Sequence, residues 1–91
     1  MLFMLVYTWD NDNRDEIVKR RLEKGTMTPN GAKILNEYTA VGRNVHFALV
    51  EVNDPKLLAE ATIAWNDIMD VDPHLVLDFE KDLADMLKGV V

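Results

Sequence analysis

Apolar residues run from Leu2 through Val6 and on to Tyr7 and Trp9, and the polar cluster Asp10-Asn11-Asp12-Asn13 ends the run. A run of this length, apolar at both parities, predicts a central strand covered on both faces, followed by a turn. Asn13 stands three residues before Glu16, the spacing of a capping box. Asp15 and Glu16 suit a positive helix start, and Lys19, Arg20, Arg21 and Lys24 suit its negative end. Gly25 supplies the stop. A helix is therefore predicted over 14–24, resting on a narrow stripe of Ile17, Val18 and Leu22.

Thr26 to Gly31 reads as a loop, with Asn30-Gly31 as its turn signal. Residues 32–41 alternate imperfectly, with polar Lys33, Asn36, Glu37 and Thr39, as suits a second strand nearer an edge. Gly42-Arg43-Asn44 is a short turn, so this strand and the apolar segment 45–52 form a hairpin. Asp54-Pro55 is a strong helix start: the Asp accepts from free amides, and Pro at the first helical position loses no hydrogen bond. Leu57, Leu58, Ala61, Ala64 and Trp65 then share one face of a helix over about residues 55–67. The segment 68–79 is extended, and Pro73 within it calls for an edge position or a bulge. Residues 80–88 form a last short helix. The order βαββαβ plus a tail helix predicts one ferredoxin-like α+β domain over 1–91, with an antiparallel sheet whose first and third strands are central.

Composition adds constraints. The chain has 91 residues, 48% of them hydrophobic. A chain this short buries a small share of its surface alone, so the apolar surplus points to a homodimer. There is no cysteine, which excludes disulfides, thiolate metal sites and cysteine nucleophiles and favours a cytoplasmic setting. The N-terminal run lacks the leading positive charge of a signal peptide, and no segment has the length of a membrane helix. The net charge of −6 opposes nucleic acid as a partner. Charge is uneven, with residues 14–43 at +3 and residues 44–91 at −7. That asymmetry would orient two subunits, although solvated faces are the plainer reading.

Several side chains are candidates for chemistry, each with a plainer alternative. Tyr7 and Trp9 share strand parity, so they would line an aromatic ligand pocket or else fill the core or a dimer contact. Trp65 has the spacing of a core residue and would form a pocket wall. His46, near the start of the third strand, has the chemistry of a general base, or of a strand-end histidine bonded to backbone or water. Asp70, Asp72 and His74 alternate along one strand, which is a set of hard-metal ligand types and equally a charged edge that deters sheet-to-sheet association. No metal site is assigned to them. The basic helix would attract an anion or simply balance its own dipole. No Gly-rich phosphate loop, Gly-x-Ser-x-Gly elbow or paired-His motif occurs, and the chain contains no serine. No cofactor is expected.

A resemblance enters on particular residues. Tyr7-Thr8-Trp9 closes the first strand and Asn13-Arg14-Asp15 opens the basic helix. Pro29-Asn30-Gly31-Ala32-Lys33-Ile34-Leu35 leads the second strand, Phe47-Ala48-Leu49-Val50-Glu51 forms the third, and Asp54-Pro55 and Trp65-Asn66-Asp67-Ile68 follow. In this order and spacing the chain resembles domain-of-unknown-function family 3303, short prokaryotic proteins within the dimeric α+β barrel superfamily. Such relatives often carry Gly-Arg-Trp-His where this chain has Asn36-Glu37-Tyr38-Thr39, so no histidine role is carried over there. The resemblance implies a dimer whose two sheets face each other. Superfamily relatives include cofactor-independent monooxygenases, haem-degrading enzymes, isomerases, decarboxylases and stress-response proteins, and fold alone does not choose among them.

Three readings follow. The first is a cytoplasmic homodimer holding a small planar molecule in a sheet-lined cavity, as a cofactor-independent monooxygenase or an isomerase. Here Tyr38 orients a ligand oxygen, His46 moves a proton, and Tyr7, Trp9 and Trp65 bind. The second is a ligand-binding or regulatory module without catalysis, and the third a structural interaction domain.

Overall fold

The computed structural model describes residues 1–90. Strands β1 (Leu2–Thr8), β2 (Ala32–Thr39), β3 (Val45–Val52) and β4 (Asp70–Val76) form one sheet in the order β2-β3-β1-β4, with every neighbouring pair antiparallel. Helix α1 (Arg14–Lys24) joins β1 to β2, and α2 (Pro55–Ile63) joins β3 to β4. A single π-helical turn (Phe79–Leu83) and helix α3 (Ala84–Lys88) end the described chain. This is the α+β, ferredoxin-like arrangement that the pattern predicts, with β1 and β3 central. Among the described residues, no helix is long and apolar enough to cross a membrane.

The core lies on one face of the sheet. Phe3 opposes Val50, Leu5 opposes Ala48, and Tyr7 opposes His46 across the β1–β3 pair. Leu5, Tyr7, Ala48, Val50 and Val52 are buried there with Trp65 and Met69, which follow α2. The expectation that β1 is covered on both faces does not hold. Leu2, Met4 and Val6 of β1, with Phe47 and Leu49 of β3, point to the opposite face and stand outside the packed core. Both helical connections lie against one side, so the apolar second parity is left open.

Local signals act as their chemistry requires, with one exception. Asp54 caps α2, its Oδ1 accepting from the Lys56 amide at 2.9 Å. Gly25 ends α1 at φ +69°, and its amide donates to the Arg21 carbonyl. Asn13, however, makes no side-chain cap. It belongs to a 3₁₀ turn (Asn11–Asn13) that runs into α1, and its backbone is already helical, so its side chain cannot reach a first-turn amide. Its Nδ2 donates instead to the Ile68 carbonyl at 3.1 Å, tying the start of α1 to the approach of β4. Pro73 sits on an edge strand and causes no register shift. The bulge is in β2, where Ile34 pairs with Val50 and Asn36 with Leu49, leaving Leu35 as the extra residue.

Candidate functional site

The bulge at Leu35 decides which β2 side chains share a face. Strict alternation would send Ile34, Asn36 and Tyr38 to one side. One extra residue switches parity, so Ile34, Glu37 and Thr39 face the helices while Asn36 and Tyr38 face away. Thr39 thereby comes opposite His46, and Glu37 opposite Ala48.

Helix α1 does not close down fully on this face. Ile17 packs against the core, but Val18 and Leu22 remain exposed, Leu22 to 81%. Two arginines hold the helix in place. Arg21 forms a bidentate pair with Glu37 of β2 at 2.9 and 2.7 Å. Arg20 forms another with Asp67, donates to the Ala64 carbonyl at 2.9 Å, and lies 5.7 Å from the Trp65 ring centre. The basic helix is thus cross-braced to both of its neighbours. Between it and the sheet remains a cavity of about 410 Å³.

Tyr7, Trp9, Ile34, Trp65 and Met69 give this cavity an aromatic and apolar wall, and Ile17, Val18 and Leu22 border it on the α1 side. Arg21, Glu37, Thr39 and His46 converge at one end. A mainly apolar pocket with a few convergent polar groups is the usual form of a small-molecule site. A second groove of about 280 Å³ beside Asp10, Asn66 and Asp67 shares Trp9 and Met69 with it but is lined mainly by polar groups.

The polar end is a connected chain of hydrogen bonds. His46 Nε2 lies 3.2 Å from Glu37 Oε1, and His46 Nδ1 lies 2.8 Å from Thr39 Oγ1. A carboxylate only accepts, so Nε2 carries the hydrogen donated to Glu37, and in the neutral ring Nδ1 accepts from the Thr39 hydroxyl. The Arg21 guanidinium holds the Glu37 carboxyl down at about 2, against the opposing pull of desolvation, with the His46 bond adding to the lowering. Burial pushes the Tyr7 phenol up to about 12, and the nearby Glu37 charge adds to the rise. The Tyr7 and His46 rings stand 5.7 Å apart and tilted by 56°.

Four of the five residues singled out from sequence, Tyr7, Trp9, His46 and Trp65, meet at this cavity. The parity shared by Tyr7 and Trp9 carries both to the helix-covered side. Trp65 is a wall fixed from two directions, its Nε1 donating to the Thr26 carbonyl at 3.1 Å beneath Arg20. Trp9 Nε1 is buried without a hydrogen-bond partner. Tyr38 lies elsewhere: it opposes Phe47 on the open face and is 56% exposed. Arg21, Glu37 and Thr39 complete the site, and sequence reasoning did not single out Glu37 or Thr39. Their only sequence signal is the imperfect alternation of β2. On β4, Asp72 and His74 point the same way and pair at 3.0 Å. Among the described residues, no three His, Cys, Asp or Glu side chains gather as a metal site.

A family model described as Domain of unknown function (DUF3303) matches residues 1–91. The chain belongs to this family. A search of curated proteins finds no significant match. In this DUF3303 chain the match spans every element that borders the cavity, so the pocket lies wholly within the family's domain.

Proposed function

We propose that the cavity between α1 and the sheet binds a small, planar, mainly apolar molecule that presents one hydroxyl to the His46–Thr39 end. The observation that carries this reading is the division of the cavity into an aromatic wall and a single polar end. Tyr7, Trp9 and Trp65 offer flat surfaces for stacking. The Arg21–Glu37 pair satisfies its own charges, so the ligand need bring none.

Proton transfer is the second reading, favoured by the Glu37–His46–Thr39 chain. Both ring nitrogens of His46 are engaged. A ligand hydroxyl that displaces Thr39 from Nδ1 meets a base already oriented by an ionised carboxylate. Removing a phenolic proton is a step shared by isomerisation and by oxygen-dependent hydroxylation. Binding precedes either, and a non-catalytic module would stop there.

The partner reading is a homodimer formed through the open sheet face, where the half-buried Met4, Val6, Phe47 and Leu49 form an apolar patch outside the packed core. The superfamily resemblance supports the same face.

A paired titration tests the pocket. 1-Naphthol should quench Trp9 and Trp65 fluorescence and shift the amide resonances of Tyr7 and His46, whereas 1-methoxynaphthalene, which lacks the hydroxyl hydrogen, should bind more weakly. His46→Leu should weaken the naphthol by roughly tenfold and leave the ether unchanged. If neither compound perturbs the cavity residues at millimolar concentration, or if both bind equally and ignore His46→Leu, this reading of the site is wrong.

A further inference from the structure

Residues 77–90 form an arm that leaves the sheet at the edge strand β4. Phe79, Leu83, Met86, Leu87 and Val90 recur at helical spacing, while Lys81, Asp82, Asp85 and Lys88 take the other side. An amphipathic helix of this kind needs an apolar surface to rest on. The arm has none from its own domain: Phe79, Met86 and Val90 are 57%, 65% and 77% exposed, and no arm residue belongs to the packed core. Its side-chain hydrogen bonds stay within the arm. A helix this short is marginal in water without tertiary cover.

The start of the arm is fixed locally. Asp78 is extended, its Oδ1 accepts from the Lys81 amide at 2.9 Å, and its own amide donates to Asp82 Oδ2 at 2.9 Å. These reciprocal bonds fix the start of the arm's helical turn directly after an extended residue. The molecule measures 49 × 31 × 17 Å, with a radius of gyration of 15.2 Å. A compact domain of this length would have a radius of about 12 Å.

The same chain carries a half-exposed apolar surface of matching character, the open sheet face with the half-buried Met4, Val6, Phe47 and Leu49 beside the exposed Tyr38. Its apolar part is confined to β1 and β3, because Asp70, Asp72 and His74 of β4 and Lys33 and Asn36 of β2 share this face; two strands about 4.8 Å apart and about seven residues long offer roughly 230 Å² of it. A stable complex removes about 800 Å² from each partner. Two sheets face to face therefore fall short, and an apolar helical stripe from each chain supplies what is missing.

We propose that the arm of one protomer crosses to a second copy and packs its Phe79–Val90 stripe along the rim of that copy's open sheet face, beside Tyr38. This rests on the homodimer reading above. Each subunit thus carries both the clasp and the surface it fits, as a closed two-fold contact requires. The sheet faces supply the centre of the interface, and the exchanged arms hold it shut.

Light scattering on the full chain at micromolar concentration should give twice the 10.4 kDa chain mass. The double variant Phe79→Asp, Met86→Asp should give the single-chain mass while keeping the wild-type circular dichroism spectrum. Because the chain lacks cysteine, Lys81→Cys carries a unique spin label. Labelled copies mixed with label-free, isotope-enriched copies should broaden the Tyr38 and Phe47 amides of the label-free ones. A monomeric wild type would overturn the homodimer and the arm together. A dimer that survives the double variant and shows no broadening between copies would overturn the arm and leave the sheet contact standing. In a second mixture, with the spin-labelled copy enriched and diluted into unenriched, label-free protein, broadening of its own Tyr38 and Phe47 amides that has no counterpart in the first mixture would mean fold-back and would also overturn the exchange.

Discussion

Glu37 joins the chemistry of the pocket to the placement of α1, because one carboxylate both anchors Arg21 and orients His46. Its pKa falls from 4.5 to about 2 on folding, chiefly through the Arg21 hydrogen bonds. A carboxyl with a depressed folded pKa contributes stability that is complete above its unfolded pKa and is lost as pH falls. Urea midpoints should therefore decline from about pH 5 down towards pH 2, and Glu37→Gln should flatten that decline. An unchanged acid profile in Glu37→Gln would show that this pair does not set it. Tyr7 gives the opposite signature. Its phenol rises from 10.0 to about 12, so folding loses stability as pH climbs across that interval. An ultraviolet titration should show a phenolate forming near pH 12, and Tyr7→Phe should abolish that late step. Gly31 provides a purely steric case. Its φ is +92°, and a Cβ there would meet Leu57 Cδ1 at 2.9 Å. Gly31→Ala should cost about 1–3 kcal/mol by chemical denaturation.

At the scale of elements, the β2 bulge and the stand-off of α1 together shape the cavity. The bulge brings Glu37 and Thr39 to the helix-covered face, and Glu37 in turn holds α1 through Arg21. Deleting Leu35 removes the extra residue and restores strict alternation. The expected result is a loss of about 2 kcal/mol or more, with naphthol binding lost as the polar end turns outward. Comparable stability with intact binding would show that the bulge is dispensable. Most elements were legible in the pattern. The span 14–24 matches α1 and 45–52 matches β3, since charge order, stop glycine and apolar run all act locally. The boundaries differ where tertiary contacts decide. Helix α2 ends at Ile63 and gives way to turns that place Trp65 and Met69 in the core, and Asn13 spends its side chain on Ile68.

At the scale of the whole molecule, an apolar sheet face and an apolar arm lie outside the packed core of a single chain. Both belong to the surplus that a 48% hydrophobic composition implies for 91 residues. In the proposed dimer a second copy covers both, so assembly and tail should rise and fall together, as the light-scattering comparison tests. The pocket, by contrast, lies on the helix-covered side of the sheet, opposite the face proposed for the dimer contact. Ligand binding should therefore survive in the monomeric arm variant; loss of binding there, with the circular dichroism intact, would place part of the site across the interface.

The sequence by itself determined the order βαββαβ, the central and edge strands, the cap of α2 and the shared face of Tyr7 and Trp9. These rest on local backbone preference and on periodicities of 2 and 3.6, which a single chain displays in its spelling. Only the tertiary structure decided that Tyr38 stands away from the cavity while Glu37 and Thr39 line it, because a one-residue bulge inverts parity without a residue type that marks it. It alone decided which face the helices cover, since both parities of β1 and β3 are apolar. And it alone joined Arg21, Glu37 and His46, residues distant along the chain whose bonds exist only once helix and strands are packed.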